Sequence, residues 1–294
     1  MKLKITALDW ALLVFLSLTW GFSFFFMKHG LLVFSWDEIA AMRIGLSSLF
    51  FMPILLYRFR EIPHDRWQYT TAVGLCGSTI PAFLFVYAQQ HLNSSLTGIL
   101  NTTTPLWILI LGTLFFGVSL TRYKVLGILV GLFGAAILIF FRTNHAVTTG
   151  AENNWYALVV IAATCFYGIS SNVIKTYLNQ TNPIIASSMS FLAVGLPCLV
   201  YLLFFTSFFT HLHLENAETA FVYILILAII NTFIGNIAYY LLIQRTDAIF
   251  ASVVTYFIPI ISIFIGIFDN ETIVPLQLVG LGFILSGVYL VSKK

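Results

Sequence analysis

The chain has 294 residues, 60% of them hydrophobic, 16% aromatic and only 9% charged, with a formal net charge of +3 and a mean hydropathy of +0.96. A soluble domain carries about a quarter of its residues as charges, and a surface facing water could not accommodate this much apolar side chain, so the composition points to lipid as the solvent. The small net charge and the lack of a long basic run exclude a protein that binds nucleic acid by neutralising a line of phosphates.

Apolar stretches follow one another at 8–29, 37–57, 68–89, 95–117, 121–141, 155–177, 183–206, 219–243, 248–268 and 273–292. Most have the roughly 20 residues that a helix needs to cross a bilayer. Barrel strands would be about half as long and would alternate in polarity, and no such alternation is present. Helices, whose backbone bonds close within one segment, are the remaining solution in lipid. The first stretch follows Lys2 and Lys4 and has no small-x-small cleavage site after it, so it is expected to remain as the first helix. Connections are short; the longest are near 58–67, 142–154 and 207–218, and Asp247 nearly alone separates the eighth stretch from the ninth.

The expected fold is an all-α membrane protein of ten transmembrane helices with both termini inside. On that topology 11 of the 14 basic residues fall in inside segments (Lys2, Lys4, Arg58, Arg60, Arg66, Arg122, Lys124, Lys175, Arg245, Lys293 and Lys294), against Lys28 and Arg142 outside. This is the bias that orients membrane proteins. Trp10, Trp36, Trp67 and Trp155 sit at span ends, as in an aromatic belt, whereas Trp20 and Trp107 are mid-span.

The two halves, 1–147 and 148–294, resemble each other. Trp20-Gly21-Phe22-Ser23 followed by Lys28 matches Tyr167-Gly168-Ile169-Ser170 followed by Lys175. Asn101 to Pro105 parallels Thr255 to Pro259, and Gly127 and Gly134 parallel Gly280 and Gly287. Five helices per half is an odd number, so the second half enters the membrane from the opposite face. Such inverted repeats are common in secondary transporters, with the substrate site near the midplane between the halves.

The Trp20-Gly21-x-Ser23 start, Met42-Arg43-Ile44, the Tyr87 to Pro105 block, the Tyr239 to Pro259 block and Glu271-Thr272-Ile273-Val274 leading to Gln277 and Gly280 together resemble the EamA-type members of the drug/metabolite transporter superfamily. The resemblance covers nearly the whole chain. It implies a ten-helix permease of the cell (inner or plasma) membrane that moves small metabolites, often exporting amino acids. A glutamate expected before the last helix of each half is Glu271 in the second half but aligns with Val118 in the first.

The candidate cavity residues are Trp20, Arg43, Tyr87, Asn101, Thr104, Tyr167, Ser171, Asn172, Asn236, Tyr239 and Tyr256, with Pro105 and Pro259 as helix breaks. Arg43 is the one charge well inside a span, a position that by default signals function. It suits a carboxylate or phosphate as a bidentate donor; the competing reading is snorkelling to water or pairing with Glu38, Asp269 or Glu271. Thr97, Asn101 and Thr104 share a helix face, and Pro105 frees the carbonyl of position 101; helix-to-helix hydrogen bonding is the alternative use of that face. Polar side chains at Ser170, Asn231 and Thr255 and the aromatic candidates suit a pocket for amphipathic molecules.

Gly127, Gly131 and Gly134 read as close helix packing, and Cys76, Cys165 and Cys198 as small buried hydrophobes. No phosphate loop or catalytic constellation occurs. The expectation is therefore a secondary transporter and not an enzyme, without cofactor, metal or nucleic-acid partner. It sits in the lipid bilayer as a monomer or homodimer and exports amino acids or related metabolites. A drug or nucleotide-sugar carrier, an importer and, from another class, an intramembrane enzyme are the alternatives.

Overall fold

The computed structural model describes residues 5–92, 94–119, 121–140, 153–258, 260–261 and 275–292. Among these the regular elements are all helical. In chain order they are α1 (Ala7–Gly30), α2 (Trp36–Tyr57), α3 (Trp67–Gly74), a π-helical segment (Leu75–Thr79), α4 (Ile80–Gln89), α5 (Ser94–Asn101), α6 (Thr104–Phe115), α7 (Arg122–Phe140) and α8 (Asn153–Tyr177). The chain continues with α9 (Pro183–Phe205), the short α10 (Phe208–His211), α11 (Ala217–Ile226), a second π segment (Leu227–Ile234), α12 (Gly235–Arg245), α13 (Ala248–Ser252) and α14 (Pro275–Ser292). Among the described residues six stretches are long and apolar enough to cross a bilayer: Ala7–Gly30, Trp36–Tyr57, His64–Gln89, Trp155–Tyr177, Pro183–Phe205 and Ala217–Arg245.

Local chemistry sets the helix starts. Asp9 in the first turn of α1 accepts from the Thr6 backbone N–H at 2.8 Å, and Glu38 in α2 accepts from that of Ser35 at 3.0 Å. Each satisfies a donor that has no partner inside the helix. Asn182 caps α9 by accepting from Ile184 N–H at 3.0 Å, with Pro183 in the first position; Asp247 caps α13 by accepting from Phe250 N–H at 2.8 Å.

The fourth apolar stretch is not one helix. It breaks at Thr102 and Thr103, between α5 and α6. Pro105 has no N–H to offer the Asn101 carbonyl, and the Thr104 hydroxyl donates to that carbonyl instead, at 2.8 Å. The ninth stretch turns at Val253 and is helical again to Ile258. Pro259, Asp269 and Glu271 lie outside the described residues.

Residues matched by the sequence repeat make matching contacts. A Cβ on Gly21 would stand 2.7 Å from Ile261, and one on Gly168 would stand 2.9 Å from Trp107. Aligning Pro105 with Pro259 pairs Trp107 with Ile261. The glycine of each Trp/Tyr-Gly motif thus lets its helix approach the matching helix of the other half, which explains Trp107 in mid-span. The last helices meet backbone to backbone. A Cβ on Gly127 would lie 2.8 Å from the Gly287 carbonyl oxygen, one on Gly287 would lie 2.7 Å from that of Gly127, and one on Gly134 would lie 2.6 Å from that of Gly280. Small residues allow such approach in lipid, where packing rather than the hydrophobic effect holds helices together.

Candidate functional site: a central cavity

Between these helices lies a cavity whose wall carries side chains from both halves. It holds about 80 Å³ of water-accessible space. One water needs about 10–15 Å³ on that measure, so the cavity has room for a compact solute.

Repeat partners furnish its wall in pairs. Trp20 and Tyr167, Ser23 and Ser170, Met27 and Ile174, Asn101 and Thr255, and Ser78 and Thr232 all line it. Trp20 packs on Tyr239 with ring centroids 5.0 Å apart, and Tyr167 stacks on Phe85 at 5.8 Å. Aligned through the same proline pair, Phe85 is the partner of Tyr239, so the two aromatic contacts are equivalent.

Both π segments reach this wall, the first with Gly77 and Ser78, the second with Thr232. A π turn widens the helix and redirects the following side chains, and such turns are frequent at functional sites.

The polar groups are fixed by specific bonds. Arg43 Nε donates to Thr232 Oγ1 at 2.8 Å. Trp20 Nε1 donates to the Asn231 carbonyl at 3.0 Å, and Asn231 Nδ2 donates to the Thr19 carbonyl, so α1 is tied to the second π segment in both directions. Ser171 and the Tyr239 hydroxyl share a bond of 2.9 Å, as do Ser190 and the Tyr240 hydroxyl at 2.8 Å. Asn236 Nδ2 donates to the Thr232 carbonyl at 2.8 Å, and Thr104 Oγ1 lies 3.3 Å from Asn101 Oδ1.

Of the residues expected at the cavity, Trp20, Arg43, Asn101, Thr104, Tyr167, Ser171, Asn236 and Tyr239 line it. Three stand elsewhere. Tyr87 belongs to an aromatic cluster with Trp36, at 5.1 Å, and Tyr156, at 5.7 Å; Phe85, two residues earlier, holds the position that Tyr239 occupies in the other half. Asn172 anchors α8 to α6, donating to the Ile108 carbonyl at 3.0 Å as well as to Gly168. Tyr256 is fully buried, crosses to α7 against Gly131 and donates to the Ile128 carbonyl at 3.2 Å. Pro105 sits in the first turn of α6, behind the break.

Ser23, Phe24, Met27, Gly77, Ser78, Phe85 and Thr232 were not expected. The first three had a usable signal, since they follow Trp20 at helical spacing. The π-segment residues had none, because a π turn breaks that spacing.

Polar contacts join the elements at both ends of the bundle. At one end Arg245 Nε donates to Asp9 Oδ1 at 2.6 Å, and Lys124 Nζ lies 3.2 Å from Asp247 Oδ2. Lys175 donates to the carbonyls of Ile243, Gln244 and Thr246 where α12 ends, a location that favours a cation. At the other end Glu38 Oε2 lies 2.7 Å from His211 Nδ1, the Tyr201 hydroxyl donates to Asp37 at 2.9 Å, and the rings of His91 and Tyr156 stack at 3.9 Å.

The sequence pattern of the EamA-like transporter family matches residues 8–140 and again 154–293. The chain belongs to the EamA-like transporter family. Within the drug/metabolite transporter superfamily it is similar to a transporter of Archaeoglobus fulgidus, 23% identical over 97% of this chain and 99% of that protein. It is also similar to the inner membrane transporter YedA of Escherichia coli, 23% identical over 94% and 88% of the two chains. A WAT1-related protein of Arabidopsis thaliana is 23% identical over 98% of this chain and 70% of its own length. A solved crystal structure shares the fold, with a TM-score of 0.72 over 95% of this chain and 94% of the other at 16% identity. This EamA chain is accordingly a multi-pass protein of the plasma membrane.

Proposed function

We propose that this protein is a secondary transporter that carries a compact metabolite through the central cavity by alternating access, without ATP. The observation that carries this reading is the cavity itself, whose wall is furnished by repeat-matched residues of both halves. Two five-helix units, 1–147 and 148–294, of opposite orientation would exchange conformations and so open the cavity to each side in turn. Ten crossings with both termini in the cytoplasm fit the distribution of basic side chains, of which Lys124, Lys175 and Arg245 gather at one end.

The direction we propose is export of amino acids or related metabolites, as the family resemblance suggests. The chemistry of the wall supports carriage rather than conversion. It offers hydroxyls, amides, aromatic faces and one guanidinium, and among the described residues that line it there is no carboxylate, thiol or imidazole to act as nucleophile or proton carrier.

Purified protein in sealed liposomes, loaded with labelled metabolites, tests this directly. Flux should exceed that of empty liposomes and fall when Trp20 or Asn101 is replaced by alanine. Flux that is absent for every metabolite, or independent of the cavity wall, would overturn the proposal.

A further inference from the structure

Among the described residues Arg43 is the one cation at the cavity wall, and no described carboxylate pairs with it. The side chain lies inside the bundle and lines the cavity, and its one hydrogen bond is from Nε to Thr232. Among the described residues no carboxylate stands within ion-pair distance of it. The carboxylates of Asp9, Glu38 and Asp247 are engaged at the ends of the bundle by Arg245, His211 and Lys124.

A guanidinium carries five N–H donors in a planar fork. With Nε held by Thr232, the edge formed by the two terminal nitrogens is left for the cavity, and that edge matches a carboxylate in bidentate fashion. An unpaired charge inside an apolar bundle is costly; a solute that brings the opposite charge relieves the cost, and one that brings none does not.

The repeat supplies no second cation at the matching position. Aligning Met42 with Met189 places Ser190 opposite Arg43, and the Ser190 hydroxyl is already bonded to Tyr240. A phosphoryl group carries about −1.5 to −2 at neutral pH and would remain partly uncompensated. A carboxylate would be neutralised. Phe24, Met27 and Phe85 share the wall with Arg43 and provide apolar surface for the rest of the solute. We infer that Arg43, positioned by Thr232, is the anchor for the carboxylate of the transported solute, and that the site takes compact monocarboxylate-bearing molecules. This deepens the transport reading and rests on it.

The test uses full-length protein in lipid nanodiscs. Binding of L-alanine, L-threonine, L-phenylalanine, propionate and benzoate is compared with binding of their amides, read as thermal shift and Trp fluorescence. The acids should bind at least tenfold more tightly than their amides. Arg43→Gln should remove that preference, whereas Arg43→Lys keeps part of it. Equal binding of acids and amides, no binding of any acid, or an acid preference that survives Arg43→Gln would overturn the inference. The comparison of acids with amides is made on the unaltered protein, so it stands even if a variant fails to fold. Liposome flux separates the two readings. Acids and amides carried equally well would remove the carboxylate anchor and leave transport standing. Acids bound in preference but never carried would do the reverse.

Discussion

Arg245 and Asp9 join the end of α12 to the start of α1 by an ion pair of 2.6 Å, and the repeat-matched residues at the far end of the molecule, His91 and Tyr156, also touch. Counting back eleven residues from the Trp20/Tyr167 match puts Asp9 opposite Tyr156, and counting back fourteen from the Pro105/Pro259 match puts Arg245 opposite His91. The same pair of positions thus meets at both ends, as a charge pair at one and as stacked rings at the other.

Breaking the charge pair should loosen its end selectively. Asp9 is 1% exposed and Arg245 about a third exposed, so the pair lies between the surface and buried cases. Asp9→Asn should cost about 2 kcal/mol, measured by thermal unfolding in detergent. In a background with Cys76, Cys165 and Cys198 replaced by serine, a cysteine introduced at Ser170 on the cavity wall should react faster with an impermeant thiol reagent added from the Asp9 side. The exchange Asp9→Arg with Arg245→Asp should restore slow labelling.

Tyr156→Ala should have the mirrored effect. Removing the ring abolishes the stack with His91, and a stacked pair contributes about 0.5–1.5 kcal/mol beyond its area. Labelling of the same cavity cysteine should then accelerate from the opposite side.

The glycine seam between α7 and α14 should tolerate no side chain. Gly127→Val places carbon where the Gly287 carbonyl already stands, and overpacking of this kind costs about 1–3 kcal/mol. A Cβ on Gly282, in the same helix as Gly287, would have nothing within 4 Å, so Gly282→Ala should leave the melting temperature within a degree or two of the original. A glycine of α7 on the seam and a glycine of α14 away from it would then give opposite results.

A residue beside the cavity and one on its wall should separate stability from affinity. Asn172→Ala removes the donor to the Ile108 and Gly168 carbonyls and should lower stability by about 1 kcal/mol, with solute affinity unchanged. Tyr239→Phe keeps the ring against Trp20 and removes the bond to Ser171 at the wall, so it should alter solute affinity more than melting temperature.

Much of this was legible in the sequence because lipid imposes few choices. Apolar runs of spanning length can only be helices, and the seam glycines Gly127 and Gly134 are legible as close packing, whereas Gly21 and Gly168, legible as a repeat match, show their crossing role only in the structure. Trp20, Arg43 and Asn101 were legible because an indole, a charge or an amide in mid-span needs a local reason. Tyr87, Asn172 and Tyr256 passed the same test and yet face other helices, since composition at one position cannot tell a polar group that meets a cavity from one that meets a neighbouring carbonyl. Ser78 and Thr232 were hidden for a geometric reason: the periodicity used to assign helix faces fails across a π turn.

The reciprocal meeting of Gly127 with Gly287 also has a consequence for how the molecule can be made. The joint presses backbone against backbone between α7 and α14, so the contact itself should hold the halves together without the polypeptide that runs from one to the other. Residues 1–147 and 148–294 produced as separate chains in one cell should therefore find each other and co-purify, and a bulky residue at Gly127 should abolish that assembly in trans. Co-purification of the two halves would show that the linking segment is dispensable for their assembly.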